Sequence, residues 1–373
     1  MNYRPKTVIS LFGPIRLWRA YYHGKECGHG HVPWDQQLGL CPRKLTPAAE
    51  ELAALAGTLT DFEEASHWSL RRMCGFTLSE STVERVTEEA GLRLKQVLDE
   101  GQTVGENKPY SWHRDANGQT CAYVSLDATG VPQQGPGGVS AECRMVYVGK
   151  VYNPVCGDQT KTSKPASARY VATICNLEKM GLLLRRQATA VGFDDAQQQL
   201  AISDGGAGLE DLFRQRFPRA EIMLDFWHAR EHLVELAQAI FPCDVATRTS
   251  WMEARSHQLK HEGGQSVLTF LETLDLSGLS AAGRQSYAEH VGYYRNHVHK
   301  MDYPRYIANG WQIGSGPVEA ACKTVVGRRL KQSGMRWGVA GADALSHLRA
   351  LHQSEPHRWQ VFWRNYRHYR LQT

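Results

Sequence analysis

Residues 121–130 read CAYVSLDATG, an apolar run that is typical of a buried strand and that leads directly into Asp127. A second run, QLAISDGGAG (199–208), has the same form and leads into Asp204. Neighbouring parallel strands end at the same edge of a sheet, where α/β proteins bind their ligands. We therefore predict a sheet that carries these two carboxylates at one cleft, each at the end of its strand.

The chain around these runs alternates between strand-like and helix-like segments. Two further strands are predicted at 142–154 and 168–175, followed by a helix at 176–192. After the second aspartate the pattern continues with a helix, a strand at 220–228 and a helix at 229–241. The resulting order, β-β-β-α-β-α-β-α, is typical of a mixed α/β sheet.

The remaining segments differ in character from this core. Alternating residues around Gly13 and Pro14 predict a β-hairpin at 7–23, and charged helical stretches after the core predict an all-α insertion. We predict five regions, in chain order: a β-hairpin with a Gly/His/Cys-rich loop (1–45), a helical domain (46–105), an α/β catalytic core (118–242), an α-helical insertion (243–300), and a C-terminal region (301–373) with a catalytic-core helix and a basic helical tail.

Helical periodicity predicts three helices between residues 46 and 98. The turn GFTL (75–78) before the third helix gives the spacing of a helix-turn-helix, whose second helix enters the DNA major groove. The residues predicted to face DNA on that helix are Ser81, Thr82 and Arg85. The alternative is an ordinary three-helix bundle, because four glutamates of the same helix would repel phosphate: Glu80, Glu84, Glu88 and Glu89.

Bulk composition narrows the class of protein. The chain has 373 residues, 42% hydrophobic and 22% charged, which is typical of a globular protein of two or three domains. We find no run of about 20 apolar residues that would predict a membrane span. The nine cysteines are scattered, which favours a reducing compartment, and we expect a cytoplasmic, nucleoid-associated protein with no membrane partner.

Positive charge is concentrated at the C-terminal end. From Arg295 onward there are 13 Lys and Arg against four Asp and Glu, while the whole chain carries a net charge of +5. Such a tail favours a polyanionic partner, because neutralising phosphates releases counterions; the alternative is a solvated face. Aromatic residues interleave with this charge, a pattern that indicates nucleic acid: Trp311, Trp337, Trp359, Trp363, Tyr366 and Tyr369.

A third carboxylate, Glu319, lies in IGSGPVEAACK (313–323) at the start of a helix predicted to run to residue 331. With Gly316 as N-cap and Pro317 at N1, it occupies the capping-box position, which gives it a purely structural alternative role. Carboxylates bind hard cations such as Mg²⁺, and three of them in one place are typical of phosphoryl transfer by two metal ions.

The segment LDFWHAREHL supplies two supporting candidates, Asp225 and His228. Asp225 could replace Asp204 as a metal ligand, or simply cap the following helix. The histidine begins His228-Ala-Arg-Glu-His232, which matches the H-x-x-E-H pattern of inverted zinc proteases. That remains a remote alternative, because it leaves the basic tail and the strand-end carboxylates unexplained.

The N-terminal loop contains four residues of metal-ligand type, namely His23, Cys27, His29 and His31. Their spacing matches no paired-ligand zinc pattern, so both a zinc site and an ordinary Gly/His-rich loop stay open.

Several of these segments together resemble bacterial insertion-sequence transposases of the ISKra family, which are related to the Mutator-like transposases. The resemblance rests on SLDATG, ISDGGAG, LDFWHAREHL, YYHGKECGHGHVPWDQQLGL and the block from residue 301 to 337. It implies an RNase H-like fold with an α-helical insertion and a DDE triad at Asp127, Asp204 and Glu319. Relatives tend to have a second cysteine near Cys27, where this chain has histidines.

The resemblance implies a DNA transposase that cleaves and joins DNA with two Mg²⁺ (or Mn²⁺) ions bound by the triad. Double-stranded DNA would be the partner, and a homo-oligomer would form on it. Basic residues expected to contact DNA phosphates are Lys323, Arg328, Arg329, Lys331 and Arg336. The alternative from another class is a DNA-binding regulator, derived from a transposase, that does not cut.

Overall fold

The computed structural model describes residues 2–40, 44–154, 167–355 and 357–366. Tyr369 lies outside them. The predicted N-terminal hairpin is confirmed: β1 (Asn2–Ser10) pairs antiparallel with β2 (Gly13–His23). Gly13 adopts φ 96° at the turn, a left-handed value that favours glycine. β3 (Gly30–His31) extends this sheet by two residues, and helix α1 (Pro33–Gln37) follows.

Three helical segments follow, as predicted. They are α2 (Pro47–Leu59), α3 (Phe62–Glu64) with its π-helical continuation Ala65–Met73, and α4 (Glu80–Asp99). Asp61 and Ser79 cap the last two by accepting hydrogen bonds from the main-chain N–H groups of Glu64 and Thr82.

The central sheet is mixed. Its strands are β4 (His113–Arg114), β5 (Thr120–Gln134), β6 (Ser140–Tyr152), β7 (Ala168–Thr173), β8 (Gln198–Ser203) and β9 (Glu221–Leu224). They lie in the order β7-β6-β5-β8-β9, with β4 paired to β5. β5, β6 and β7 are antiparallel, whereas β5, β8 and β9 are parallel.

Asp127 lies within β5 and not at its end, so this detail of the prediction was wrong. The parallel pairing of β5 with β8 stops at Ser125, but antiparallel pairing with β6 continues through Asp127, opposite Val148, to Gln134. Pairing with β6 extends β5 beyond its parallel ladder, with a shift of register between Val131 and Gln133. Asp127 thus sits just beyond the end of the parallel ladder.

Three helices connect and flank the parallel strands, namely α5 (Leu177–Ala190), α6 (Leu209–Arg216) and α7 (Phe226–Ile240). The predicted order β-β-β-α-β-α-β-α is confirmed. The predicted strand at 220–228 is too long, because β9 ends at Leu224 and Asp225 is the N-cap of α7. The Asp225 carboxylate accepts a hydrogen bond of 2.7 Å from the Trp227 N–H, which starts the helix earlier.

The region after α7 is helical, as predicted. It contains α8 (Val245–Glu262), α9 (Gly264–Glu272), α10 (Ala281–His297) with a 3₁₀ turn at Val298–Lys300, and α11 (Tyr303–Ala308). Tyr294 links α10 to α7, because its hydroxyl donates a buried hydrogen bond of 2.8 Å to the Ala229 carbonyl.

The C-terminal helix predicted at 316–331 is not one regular helix. It consists of α12 (Gly316–Ala321), a π-helical segment Cys322–Gly327, and α13 (Arg328–Leu330). Its N-cap position is Ser315 and not Gly316, so Glu319 lies one residue beyond the predicted capping-box position. Two more helices follow, α14 (Val339–Gln353) and α15 (His357–Asn365).

Helix α14 is the buried centre of the molecule. It packs against β7 on one side and α4 on the other, and α4 approaches so closely that a Cβ on Gly91 would lie 2.2 Å from the Ala344 carbonyl oxygen. The helical region 46–99 therefore shares one hydrophobic core with the sheet. Among the helices that the structure describes, none has the length and apolar character needed to cross a membrane.

Candidate active site

The aspartates are placed by neighbouring parallel strands. Asp204 follows β8 directly and Asp225 follows β9, and the two strand ends are joined because the Asp225 N–H donates to the Ser203 carbonyl at 2.8 Å. Asp127 projects from the adjacent strand β5, just past its last parallel pair. Three neighbouring strands therefore present a carboxylate at the same edge of the sheet.

Glu319 joins these aspartates from α12, so all four acids line one cleft with a volume of about 400 Å³. Residues from three other positions complete its polar wall: His228, Glu231 and Ser315. The structure thus places Asp127, Asp204 and Glu319 on one cleft, although within the described residues their ligand atoms do not all lie within 4.8 Å of one another.

Asp127 occupies an unfavourable place for a negative charge. Burial raises the pKa of its carboxyl above the ordinary value, and the neighbouring charge of Asp204 adds to this effect. Hydrogen bonds from the Ala128 N–H (2.6 Å) and the Cys322 thiol (3.3 Å) act in the opposite direction, as does His228. The net effect of burial and these contacts favours the protonated, uncharged form of the Asp127 carboxyl.

Ser315 links two of the acids and was not predicted. Its buried hydroxyl lies within hydrogen-bonding distance of the Asp225 carboxylate and 3.1 Å from Oε1 of Glu319. A hydroxyl has one proton, so it can donate to only one of them at a time. The only signal in the sequence was a serine two residues before Pro317, where a helix was predicted to begin.

Asp225 is bound on both sides by protein groups. One oxygen accepts the Trp227 N–H at the start of α7 and the other contacts Ser315, while the side chain is almost fully buried. This arrangement gives it a positioning role for α7 and for the Ser315–Glu319 pair. It agrees with the helix-cap interpretation, and it leaves Asp204 with fewer protein contacts to its carboxylate than Asp225 has.

Asp204 is stabilised by a local turn and by the helical insertion. Its carboxylate accepts the Gly206 N–H at 2.9 Å, and its carbonyl accepts the hydroxyl of Tyr293 at 3.0 Å. Because Tyr293 belongs to α10, the insertion contacts the backbone of the cleft directly.

Three histidines lie next to one another beside the cleft, where α7 contacts α10: His228, His232 and His290. His228 Nδ1 lies 3.3 Å from Glu231, whereas His232 turns away and places its Nδ1 2.9 Å from Nδ1 of His290. Throughout the ranges that the structure describes, the metal-ligand group whose atoms all lie within 4.8 Å of one another is His232, Glu235 and His290. Of the residues in the H-x-x-E-H pattern, this group contains His232 but neither His228 nor Glu231. Its other two members are Glu235 and His290.

The residues predicted to contact DNA are mostly accessible. Ser81 and Arg85 are exposed at the start of α4, and Thr82 is partly exposed. Four of the five C-terminal basic residues are exposed: Lys323, Arg328, Lys331 and Arg336.

Arg329 was predicted wrongly, because it is fully buried. Its Nε donates to the Gly57 carbonyl at 2.9 Å, and its guanidinium lies 4.6 Å from the ring centre of Phe62 and 5.0 Å from that of Trp337. It therefore fastens the C-terminal segment to α2 and α3, and is not available to phosphate.

The aromatic residues of the basic tail are largely buried as well, which removes the argument for base stacking there. Trp363 is partly exposed, and the buried members are Trp311, Trp337, Trp359 and Tyr366.

The N-terminal zinc candidates do not come together. His23, Cys27, His29 and His31 are all exposed, and Cys27 instead contacts the Gly24 carbonyl. Since residues 2–40 are described, the absence of any three of these ligands within 4.8 Å of one another favours the ordinary-loop alternative.

Comparison with known proteins gives no relative: neither the protein-family models nor the curated proteins contain a match to this chain.

Proposed function

We propose that this chain is a DDE-type DNA transposase that cleaves a phosphodiester bond at the end of a mobile element and joins the freed 3′-OH to target DNA. The observation that carries the proposal is the common cleft of Asp127, Asp204 and Glu319. Carboxylates from two parallel strands and a distant helix that line one cleft form the oxygen-rich donor set that hard cations require.

The sheet topology supports an RNase H-like fold for this core. Three antiparallel strands are followed by β8, which pairs parallel to β5, and by β9, which pairs parallel to β8, in the order β7-β6-β5-β8-β9. The insertion of helices α8 to α10 between α7 and the helix with Glu319 agrees with the arrangement that the family resemblance implies.

Asp127, Asp204 and Glu319 would hold two Mg²⁺ or Mn²⁺ ions. An all-oxygen donor set suits these hard cations. Burial raises the pKa of Asp127, and the nearby charge of Asp204 adds to this effect, so a bound cation would offset the cost of its charge. When bound, such ions activate the attacking oxygen and stabilise the leaving oxygen of a phosphodiester.

Other side chains would keep the acids in place. The Cys322 thiol donates a hydrogen bond to one oxygen of Asp127. The Ser315 hydroxyl lies within hydrogen-bonding distance of both Glu319 and Asp225, and Asp225 is itself the N-cap of α7. Phosphoryl transfer depends on positioning and charge neutralisation, so no serine or cysteine nucleophile is required.

The exposed cations near the cleft would bind the DNA backbone. Lys331 donates to the Thr129 hydroxyl at 3.0 Å, two residues along β5 from Asp127, and Arg336 donates to Gly138 at 3.1 Å. Lys323 and Arg328 extend the same exposed basic segment. Together with Ser81, Thr82 and Arg85 on α4, they are the residues that we propose to contact DNA, and processing two element ends together would require a homo-oligomer.

The test is a cleavage and joining assay with the DNA that flanks the coding region, with and without Mg²⁺. We expect nicking at the element ends by the parent and a loss of at least 100-fold in rate for Asp127→Asn and Glu319→Gln. Glu253→Gln is the matched control, because this exposed glutamate on α8 is not among the residues that line the cleft. It should cut like the parent.

Two outcomes would argue against catalysis by this cleft. Cutting by Asp127→Asn at the parent rate would remove the assignment of the triad. A specific DNA complex with no metal-dependent nicking under any condition would instead favour the non-cutting regulator.

A further inference from the structure

A second group of metal-ligand type lies outside the carboxylate cleft, where α7 and α10 meet. We propose that His232, Glu235 and His290, called here the His/Glu cluster, bind one Zn²⁺ ion that joins the helical insertion to the core. Their ligand atoms all lie within 4.8 Å of one another, although His290 is separated from the other two by more than 50 residues.

The geometry of the two imidazoles suits a shared cation. Their Nδ1 atoms are 2.9 Å apart, and Nε2 of His290 lies 3.7 Å from the Glu235 carboxylate. Nitrogen ligands of a tetrahedral zinc, at 2.0–2.1 Å from the metal, lie roughly 3.3 Å apart. One ion binds only one nitrogen of each ring. Because Glu235 lies beside Nε2 of His290 whereas His232 lies beside its Nδ1, the His290 ring would have to rotate for all three side chains to bind the same ion.

The surroundings keep the cluster ready to bind a metal. His232 is partly buried, and its ring centre lies 5.1 Å from that of His290. On the other side, Tyr293 stacks on the His232 ring with 3.6 Å between ring centres. This contact restricts the rotation of the ring.

The donor set selects the kind of metal. Two imidazoles and one carboxylate are ligands of zinc and of neighbouring transition metals, whereas Mg²⁺ prefers oxygen alone. Glu235 is exposed while His290 is buried, so the cluster opens to solvent and leaves a fourth position for water. This site would thus differ in metal from the carboxylate cleft.

Metal binding at the His/Glu cluster would make the loop after β8, which carries Asp204, more rigid. Tyr293 connects the His/Glu cluster with the carboxylate cleft, because its ring stacks on His232 and its hydroxyl donates a hydrogen bond to the Asp204 carbonyl. A Zn²⁺ ion between α7 and α10 would hold this tyrosine, and with it the loop after β8. The inference concerns zinc binding alone and does not depend on DNA cleavage.

The experiment uses the full chain, stripped of metal with a chelator and titrated with ZnCl₂ in a calorimeter. Co²⁺ titration provides a second readout, because tetrahedral coordination by nitrogen and oxygen produces strong visible absorption. We expect one Zn²⁺ per chain, a dissociation constant at least tenfold higher for Glu235→Gln, and loss of the site in His290→Ala. Zinc should also raise the melting temperature of the parent more than that of either variant.

Two further variants separate this site from other histidine pairs. His257→Ala removes an exposed pair on α8, where the rings of His257 and His261 lie 4.4 Å apart, and should leave the one-to-one binding intact. His228→Ala removes the first residue of the H-x-x-E-H pattern and should also leave it intact.

The proposal is overturned if the parent binds no stoichiometric Zn²⁺, or if binding is lost in His257→Ala or His228→Ala but kept in His290→Ala. If His290→Ala does not fold, Glu235→Gln decides, since its exposed side chain can change without disturbing the core. Unchanged zinc affinity in that variant would overturn the site. Mg²⁺-dependent cleavage enters none of these measurements, so the two proposals succeed or fail separately.

Discussion

Replacing Glu210 by glutamine should destabilise the protein, because this carboxylate compensates a buried lysine. Glu210 lies on α6, and Lys300, only 3% exposed, contacts it at 2.7 Å from the end of the helical insertion. Arg214 (2.7 Å) and His299 (3.0 Å) complete its partners. The variant would leave the Lys300 charge buried without a counter-charge.

The expected magnitude follows from the pKa of Glu210. Burial alone would raise this pKa, but hydrogen bonds from Lys300, Arg214 and His299 outweigh it and lower the pKa to about 2 from the ordinary 4.5. A difference of this size corresponds to about 3 kcal/mol of folding free energy. Because the folded-state pKa is depressed, the contribution is fully present above pH 4.5 and is lost as the pH falls through 2.

The assay is urea unfolding followed by tryptophan fluorescence at a series of pH values. Glu210→Gln should lower the free energy of unfolding at pH 7 by about 3 kcal/mol, and the difference from the parent should shrink toward zero between pH 4.5 and 2. Glu272→Gln breaks the exposed pair with Arg295 (2.8 Å) and serves as the control, with an expected change below about 0.5 kcal/mol. A change of that small size for Glu210→Gln, or one independent of pH, would refute the reasoning.

Three other outcomes test the packing and the electrostatics of the core. Gly91→Ala should lower the free energy of unfolding by about 1–3 kcal/mol, because its Cβ would meet the Ala344 carbonyl. The control Gly292→Ala on α10, with open space around it, should raise the free energy of unfolding by about 0.5–1 kcal/mol. Equal effects of the two variants in chemical denaturation would contradict the close approach of α4 and α14. Lys150→Met should raise the free energy of unfolding at pH 7 by roughly 2–3 kcal/mol, since burial lowers the lysine pKa to about 8. The cost of the charge is full below pH 8 and disappears as the pH rises toward 10.5, so a gain that persists at pH 10.5 would show another cause. Ser315→Ala should reduce the rate of Mg²⁺-dependent cleavage at least tenfold, with little change in the DNA affinity measured by gel shift. The reason is that the buried Ser315 hydroxyl contacts Glu319 and not solvent. An unchanged cleavage rate would remove its positioning role.

Local sequence patterns were sufficient to predict the order of the core elements. The apolar runs before Asp127 and Asp204 mark strands whose pairing then follows from the rules of α/β topology, so the meeting of these two acids could be predicted. The place of Glu319 at a helix start offered a structural alternative, and its assignment to the triad came from the family resemblance. Its position at the same cleft is therefore the least local part of the prediction.

What could not be predicted depends on partners that are distant along the chain. Arg329 reads as a surface cation, yet its partners Gly57 and Phe62 lie about 270 positions earlier. His290 meets His232 only because α10 folds back on α7, and no spacing in the sequence indicates this contact. The strand with Asp127 was predicted too short for a similar reason, since its length is set by pairing with β6.

The position of Glu319 after the helical insertion has a consequence for synthesis. A ribosome completes β5, β8 and the whole of α8 to α10 before it adds the last acid of the cleft. Nascent chains and products of premature termination within the insertion therefore contain Asp127 and Asp204 but lack their third companion. Order of translation alone delays assembly of the full acidic set until most of the polypeptide has emerged.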